Sequence, residues 1–303
     1  MSRPPLPPPL LHLPYETGAF RMALGLQSVP EVEWLEIDAT YPAQLAERRR
    51  LIATRRAEVI GALPGTEAAQ QELLAMLAAH LPRRYPGWFD SAGGVLENRL
   101  DGTRQALATP DPLAALGGLV QEDFCLLRQE AGEIHLVGAA LCFPSRWRLA
   151  EKLGRPLGLV HQPVPFYGEQ LQRPVDRFIG LLKPGRLAVR LNWSVIDDAA
   201  LFQPSGHDRA EPAGTVTAGN AGSSLVLRVE RQSFRRLPES GLVVFGIRIH
   251  VTPLAQVTAL PGEAARLREA VLALPPAMAR YKSLLPFRPA LLDYLDTEVA
   301  RGG

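Results

Sequence analysis

Six histidines, at positions 12, 80, 135, 161, 207 and 250, are weighed first because imidazole serves both acid–base chemistry and metal ligation near neutral pH. No two of them share the short spacing that would place two ligands on one helix face. His161 stands apart: it follows the apolar run Leu157-Gly158-Leu159-Val160 and precedes Gln162-Pro163-Val164-Pro165. Proline fixes φ, so this ring is stiffly aimed from an apolar wall. Such an imidazole suits axial ligation of haem iron, where the pocket must exclude water yet present one nitrogen. A histidine satisfied inside a core or loop is the plain alternative. The chain contains no CxxCH, so a haem would be held non-covalently.

The second constellation is Arg228-Val229-Glu230-Arg231-Gln232, with Arg235 and Arg236 close behind and Arg248 on the following strand. Guanidinium forks bind carboxylates bidentately, so this group fits haem propionates or another acidic ligand, with Glu230 available to a cationic partner. A solvated sheet face laced by cross-strand ion pairs has the same composition. The cluster Arg48, Arg49, Arg55 and Arg56 reads as the solvent face of a helix.

Other signatures are missing from the sequence. It has no GxGxxG after a strand, no GxxxxGK[ST], no GxSxG elbow and no HExxH helix, which removes most of the weight from nucleotide-driven and zinc-hydrolase readings. Cys125 and Cys142 lie in apolar surroundings without CxxC or zinc-type spacing, which argues against a disulfide framework, structural zinc or an iron–sulfur cluster. With 33 Lys+Arg against 31 Asp+Glu, the formal charge of +2 selects for neither nucleic acid nor anionic membrane. No apolar run is long enough to span a bilayer and no secretory pattern opens the chain, so a cytoplasmic protein is expected.

The elements that must position these residues can be read from periodicity. Residues 1–14 are rich in proline and read as an extended leader, docked or mobile, ahead of a single α+β domain over 15–303. Leu45, Ile52 and Val59 mark an amphipathic helix. Thr66 is a candidate N-cap for a second helix through Leu73, Leu74 and Leu77, ended by Pro82 and Pro86. Residues 90–112 read as loop. From about residue 115 to 255 a sheet is expected, opening with a hairpin about Ala131-Gly132. Ser145 is a candidate cap for a helix over 146–153, and three strands follow over 188–195, 225–232 and 242–250. Their alternation suggests one apolar and one polar sheet face. Helices return over 263–274, from Pro276 and about Leu291, so helices, then antiparallel strands, then helices define an α+β class.

Several strings of unusual residues then point to a family. PYETGAFRMALGLQSV (14–29), VQEDFCLL (120–127), CFPSRWRLAEKLGRPLGLVHQPVP (142–165), RLNWSVIDDAALFQPSGH (190–207), LRVERQSFRRLPESGLVVFGIR (227–248) and MARYKSLLP (278–286) resemble, in order, the alpha subunit of haem-dependent oxidative N-demethylases. The resemblance implies a PAS-like fold that binds haem b and removes a methyl group oxidatively from a small secondary amine of the dimethylamine type, leaving the primary amine and formaldehyde. It also implies a separate reductase subunit and a folate-binding subunit that captures formaldehyde. By this resemblance His161 is the candidate iron ligand. Trp147 and Lys152 match the motif ahead of it, and Arg228, Glu230, Arg231 and Gln232 match the central strand motif, with Arg248 beyond. Glu230, Tyr167 and His207 are the candidates for the distal acid or base. A PAS-like haem sensor without turnover and a haem-free subunit of an assembly are the competing expectations.

Overall fold

The structure, a computed structural model, describes residues 4–205 and 215–302. In chain order its strands are β1 (Gln27–Val29), β2 (Ile60–Ala62), β3 (Phe89–Ala92), β4 (Val95–Asn98), β5 (Thr103–Ala106), β6 (Glu122–Glu130), β7 (Glu133–Ala140), β8 (Leu187–Ile196), β9 (Val226–Arg236) and β10 (Val243–Pro253). Seven of them form one sheet in the order β1-β8-β9-β10-β6-β7-β2, antiparallel throughout. Its five long strands close on each other through β10, which lies between β9 and β6, while helices fill the connection from β7 to β8. The class is α+β.

The hairpin forms where expected. Ala131 and Gly132 both take positive φ (50° and 88°), the backbone that lets a two-residue turn match strand twist. The three later strands also form, each somewhat longer than its alternating core. Their pairing overturns the expectation of one apolar and one polar face. Phe245 pairs with Phe234, Ile247 with Gln232 and Ile249 with Glu230, so the apolar row of β10 lies beside the polar row of β9. Directly paired residues share a face, and both faces are therefore mixed. Both are also covered. On one face Trp34, Leu73 and Leu77 join Phe124, Leu126 and Val244, and helices near the C-terminus, through Leu267, Leu291 and Leu295, join Val195, Leu227 and Val229; on the other, Leu149, Leu157, Val160 and Ile179 join Cys125, Leu127 and Val243.

Three further expectations are corrected. Residues 90–112 are not loop: β3, β4 and β5 make a small antiparallel sheet, turned at Gly93-Gly94. Pro82 does not end the second helix but lies within its last turn, and the helix runs Glu67–Arg84. Ser145 caps no helix; the helical turn is Leu149–Lys152, and Ser145 Oγ instead accepts a hydrogen bond from Arg228.

Arg48 is the largest departure. It lies on the helix Tyr41–Thr54 but is fully buried. Its guanidinium donates to the carbonyls of Gly117 (2.7 Å) and Glu122 (2.7 Å) and to Asp123 Oδ1 (2.8 Å). Asp123 in turn accepts from the backbone N–H groups of Cys142 (2.6 Å) and Phe143 (2.9 Å). One ion pair thus fastens a helix, the start of β6 and the turn after β7, and that turn carries Phe143 into the wall of the cavity described next. Arg48→Ala is expected to lower the unfolding free energy by about 3–5 kcal/mol, because it strands a buried carboxylate; urea unfolding of the variant beside the wild type measures this.

Candidate functional site

Against the β8–β9–β10–β6 face lies a cavity of about 540 Å³, within the size range of small-molecule and cofactor sites. Its apolar wall includes Cys125, Leu127, Leu141, Phe143, Phe245 and Ile247. Cys125 and Cys142 are buried free thiols, pushed up to about 12 by burial, so they present no thiolate at neutral pH. The helical connection between β7 and β8 closes the other side and brings Trp147, Lys152, His161 and Tyr167 to the cavity.

His161 follows the short helix Leu157–Val160. Its Nδ1 lies 3.0 Å from the Leu157 carbonyl, which can only accept, so Nδ1 carries the proton and Nε2 keeps its lone pair. Burial pushes the imidazole down to about 4, which makes it neutral at pH 7. Phe166 adopts a left-handed backbone (φ 65°) that turns the chain into a π turn at Tyr167–Leu171. Tyr167 is thereby stacked on the His161 ring, with centroids 4.4 Å apart and planes inclined by 15°. The Tyr167 hydroxyl is buried with no hydrogen-bond partner among the described residues, and burial raises its pKa well above the ordinary phenol value.

The polar row comes from two strands in register. On β9, Arg228, Glu230 and Gln232 face the cavity; on β8, Ser194, Asn192 and Arg190 pair with them one for one. Glu230 Oε2 accepts from Gln232 Nε2 (2.8 Å) and, at 3.4 Å, from Asn192 Nδ2. Arg228 is spent on structure: it donates to Ser145 Oγ (3.1 Å) and to the carbonyls of Phe143, Ala200 and Leu201. Burial draws its pKa down to about 10 despite the attraction of Glu230. Arg190 Nε is buried without a partner among the described residues, and burial lowers that guanidinium as well.

Two lysines complete the charge pattern. Lys152 lies 4.5 Å from the centre of the Trp147 ring, a cation–π contact, and Lys282, at the end of the helix Pro276–Tyr281, donates to Asn192 Oδ1 (3.3 Å) and to the Trp193 carbonyl. Burial brings each of them down from 10.5 to about 8, with Glu230 pulling the other way in both. Glu230 is therefore the acid that Lys152, Arg190, Arg228 and Lys282 all feel.

The structure thus gathers His161, Tyr167, Trp147, Lys152, Arg228, Glu230 and Gln232 around one cavity. It does not bring Arg231 or Arg248 there. Arg231 projects to the opposite face, where it donates to the Glu33 and Trp34 carbonyls and pairs with Glu36 (3.1 Å). Arg248 is paired with Arg231 across β10 and β9 and so shares that face, held by Asp38 (3.1 Å) and Gln44 (2.9 Å). His207 lies outside the described residues. Sequence reasoning missed Arg190, Asn192 and Lys282. A signal for Lys282 was present: the chain has only three lysines among its 33 basic residues, and two of them, Lys152 and Lys282, line this cavity.

The donor set suits haem. One neutral imidazole nitrogen, an apolar-walled volume of ligand size and unpartnered buried groups on Tyr167 and Arg190 leave room for a planar group carrying carboxylates. The fold and cavity define a protein built to enclose a small molecule or prosthetic group. Residues 25–292 match the model of the family described as haem-dependent oxidative N-demethylase, alpha subunit-like, and the chain belongs to that family. No helix among the described residues is long and apolar enough to cross a membrane.

The lysines carry a pH test. Their pKa values are lower in the folded chain than the ordinary 10.5 of the unfolded one, so between about pH 8 and 10.5 the unfolded state holds more protons and unfolding free energy gains from rising pH. Urea unfolding at pH 7.5, 8.5 and 9.5 is expected to show the wild type gaining stability relative to a Lys152→Met/Lys282→Met variant as pH rises, with no such gain below pH 7.5.

Proposed function

We propose that this chain binds haem b non-covalently through His161 and catalyses oxidative N-demethylation of a small secondary amine of the dimethylamine type, giving the primary amine and formaldehyde. The observation that carries the reading is the His161 tautomer: Nδ1–H committed to the Leu157 carbonyl, Nε2 free, at the wall of a cavity of cofactor size. A hydrogen bond at the remote nitrogen orients a ligating imidazole and raises its basicity toward a metal. The order of the five long strands, with the helical connection between β7 and β8 forming the ligand wall, supports the PAS-like description of the fold.

Haem would supply the electron-accepting iron centre. The chain's residues do the rest. Tyr167 stacks against the ligating ring and fixes its plane. Lys152 and Arg190 stand at the cavity as partners for propionate carboxylates, which Arg228, bound to four neighbouring groups, is not free to be. The amine must reach the reacting position with a neutral nitrogen. A cavity where cations outnumber Glu230 disfavours the ammonium form, and Glu230 is the group placed to take its proton. Loss of two electrons and a proton from the methyl-bearing amine yields an iminium carbon, and water adds there to release formaldehyde. Apolar walls at Leu127, Phe143 and Phe245 limit how much water reaches that carbon. The alpha-subunit-like description supports the presence of further subunits; in this reading a separate reductase subunit takes up the two electrons the amine loses, a folate-binding subunit captures the formaldehyde, and the assembly works in the cytoplasm.

The deciding experiment is an absorption spectrum of the purified chain after addition of haem, before and after titration with dimethylamine. A Soret band that shifts with the amine is expected; a chain that takes up no haem would end the reading. His161→Ala is expected to lose most haem and change the spectrum of what remains. In the presence of an electron acceptor, dimethylamine is expected to release formaldehyde, and Glu230→Gln to slow that release by about 10²-fold, in the range for loss of a positioned proton acceptor. Haem uptake without formaldehyde release by the reductase-supplemented chain would assign a sensor in place of an enzyme.

A further inference from the structure

On the opposite face of the sheet, three chain segments distant in sequence converge on one carboxylate oxygen. His12 Nε2 lies 3.2 Å and His250 Nε2 2.9 Å from the same Oε2 of Glu36, and the three ligand atoms lie within 4.8 Å of one another. The two imidazoles meet edge to face with centroids 4.7 Å apart. The geometry points to a second metal site: His12, Glu36 and His250 form a three-ligand site for a divalent transition ion of the zinc type, separate from the cavity.

Four observations support this. An ion bound tetrahedrally at about 2.0–2.1 Å sets its ligand atoms roughly 3.3 Å apart, close to the two separations measured to Glu36 Oε2. Two histidines and a carboxylate are a donor set that binds zinc while leaving a fourth position for water. His250 is buried, whereas His12 and Glu36 are part-exposed, which gives an ion a path in and that water a place. The carboxylate is also held from behind: Arg231 Nε lies 3.1 Å from Glu36 Oε1, leaving Oε2 to the histidines, and the Glu36 backbone N–H donates to Glu122 Oε1 at 2.9 Å. The other oxygen of Glu122 is buried with no partner among the described residues, an uncompensated acceptor one hydrogen bond away from the ligand segment.

The site has a structural role. His12 belongs to the proline-rich leader, which crosses the body through Pro4 O to Trp88 Nε1 (2.9 Å), Pro7 O to Ala39 N (2.8 Å) and Leu10 N to Asp38 Oδ2 (3.2 Å). An ion shared by His12, Glu36 and His250 would join that leader to β10 by coordination as well as by hydrogen bonds.

The test uses the full chain without an affinity tag, stripped by a chelator and titrated with Zn²⁺ in competition with a chromophoric chelator, and with Co²⁺ read by its visible d–d bands. One equivalent of zinc bound at sub-micromolar Kd, with the intense bands of four-coordinate cobalt, is expected for the wild type and equally for His161→Ala. His12→Ala and Glu36→Gln are each expected to weaken binding at least tenfold. His12→Ala keeps the test valid should changes at the more buried Glu36 disturb folding, since its loss removes only a part-exposed leader side chain. Zinc bound no tighter than about 10 µM by the wild type would overturn the assignment. So would full affinity in His12→Ala, or loss of the zinc in His161→Ala alone.

Discussion

Everything in the cavity follows from how β9 is registered against its two neighbours. In an antiparallel pair the opposed residues project to one side, and the side chain period of two makes every other residue follow. Once Val229 pairs with Trp193 and with His250, Glu230 must face the same side as Asn192 and Ile249. A slip of one residue would send Glu230 to the face that now carries Arg231 and would bring Arg231 into the cavity. The polar row and the greasy row thus meet on one surface because of a single alignment, and the cavity owes to it both its carboxylate and its dry wall.

Charge is distributed by the same alignment. One face holds Glu230 among Lys152, Arg190, Arg228 and Lys282, so one acid answers four basic groups, and burial brings the two lysines down to about 8. The other holds Arg231 and Arg248 against Glu36 and Asp38, with acids and bases nearly matched. Burial alone works to raise the Glu36 pKa, but hydrogen bonds from His12 and His250 and the Arg231 guanidinium hold it well below the usual carboxylate range. Buried charge on the matched face stabilises the packing of the segment around Glu36 against the sheet, whereas on the unmatched face it keeps an appetite for anions.

The sequence showed where strands and helices lie wherever the apolar period was strong, as at the Ala131-Gly132 turn and in β8, β9 and β10. It failed where local pattern is thin. The four-residue strands β3, β4 and β5 carry Asp, Ser, Glu and Arg at exposed positions, and nothing within them separates strand from loop. Arg48 looked solvent-facing because its partner, Asp123, is 75 residues away and its carbonyl acceptors lie in other elements. Of the site, His161 was legible from the stiff, apolar stretch around it, and Glu230 with Gln232 from alternation. Arg248 was misplaced because period two assigns a residue to a row, while only pairing between strands says which rows share a face. Lys282 reaches Asn192 from 90 residues downstream, a contact that no local window contains.

The two outermost strands of the large sheet, β1 and β2, are each only three residues long. An unpaired strand border is a template onto which another chain can add, and such growth is favoured by long, flat borders. Here each of the two border strands offers no more backbone than a single turn's worth of docking sites. On these two strands fibre-like stacking finds little to start from.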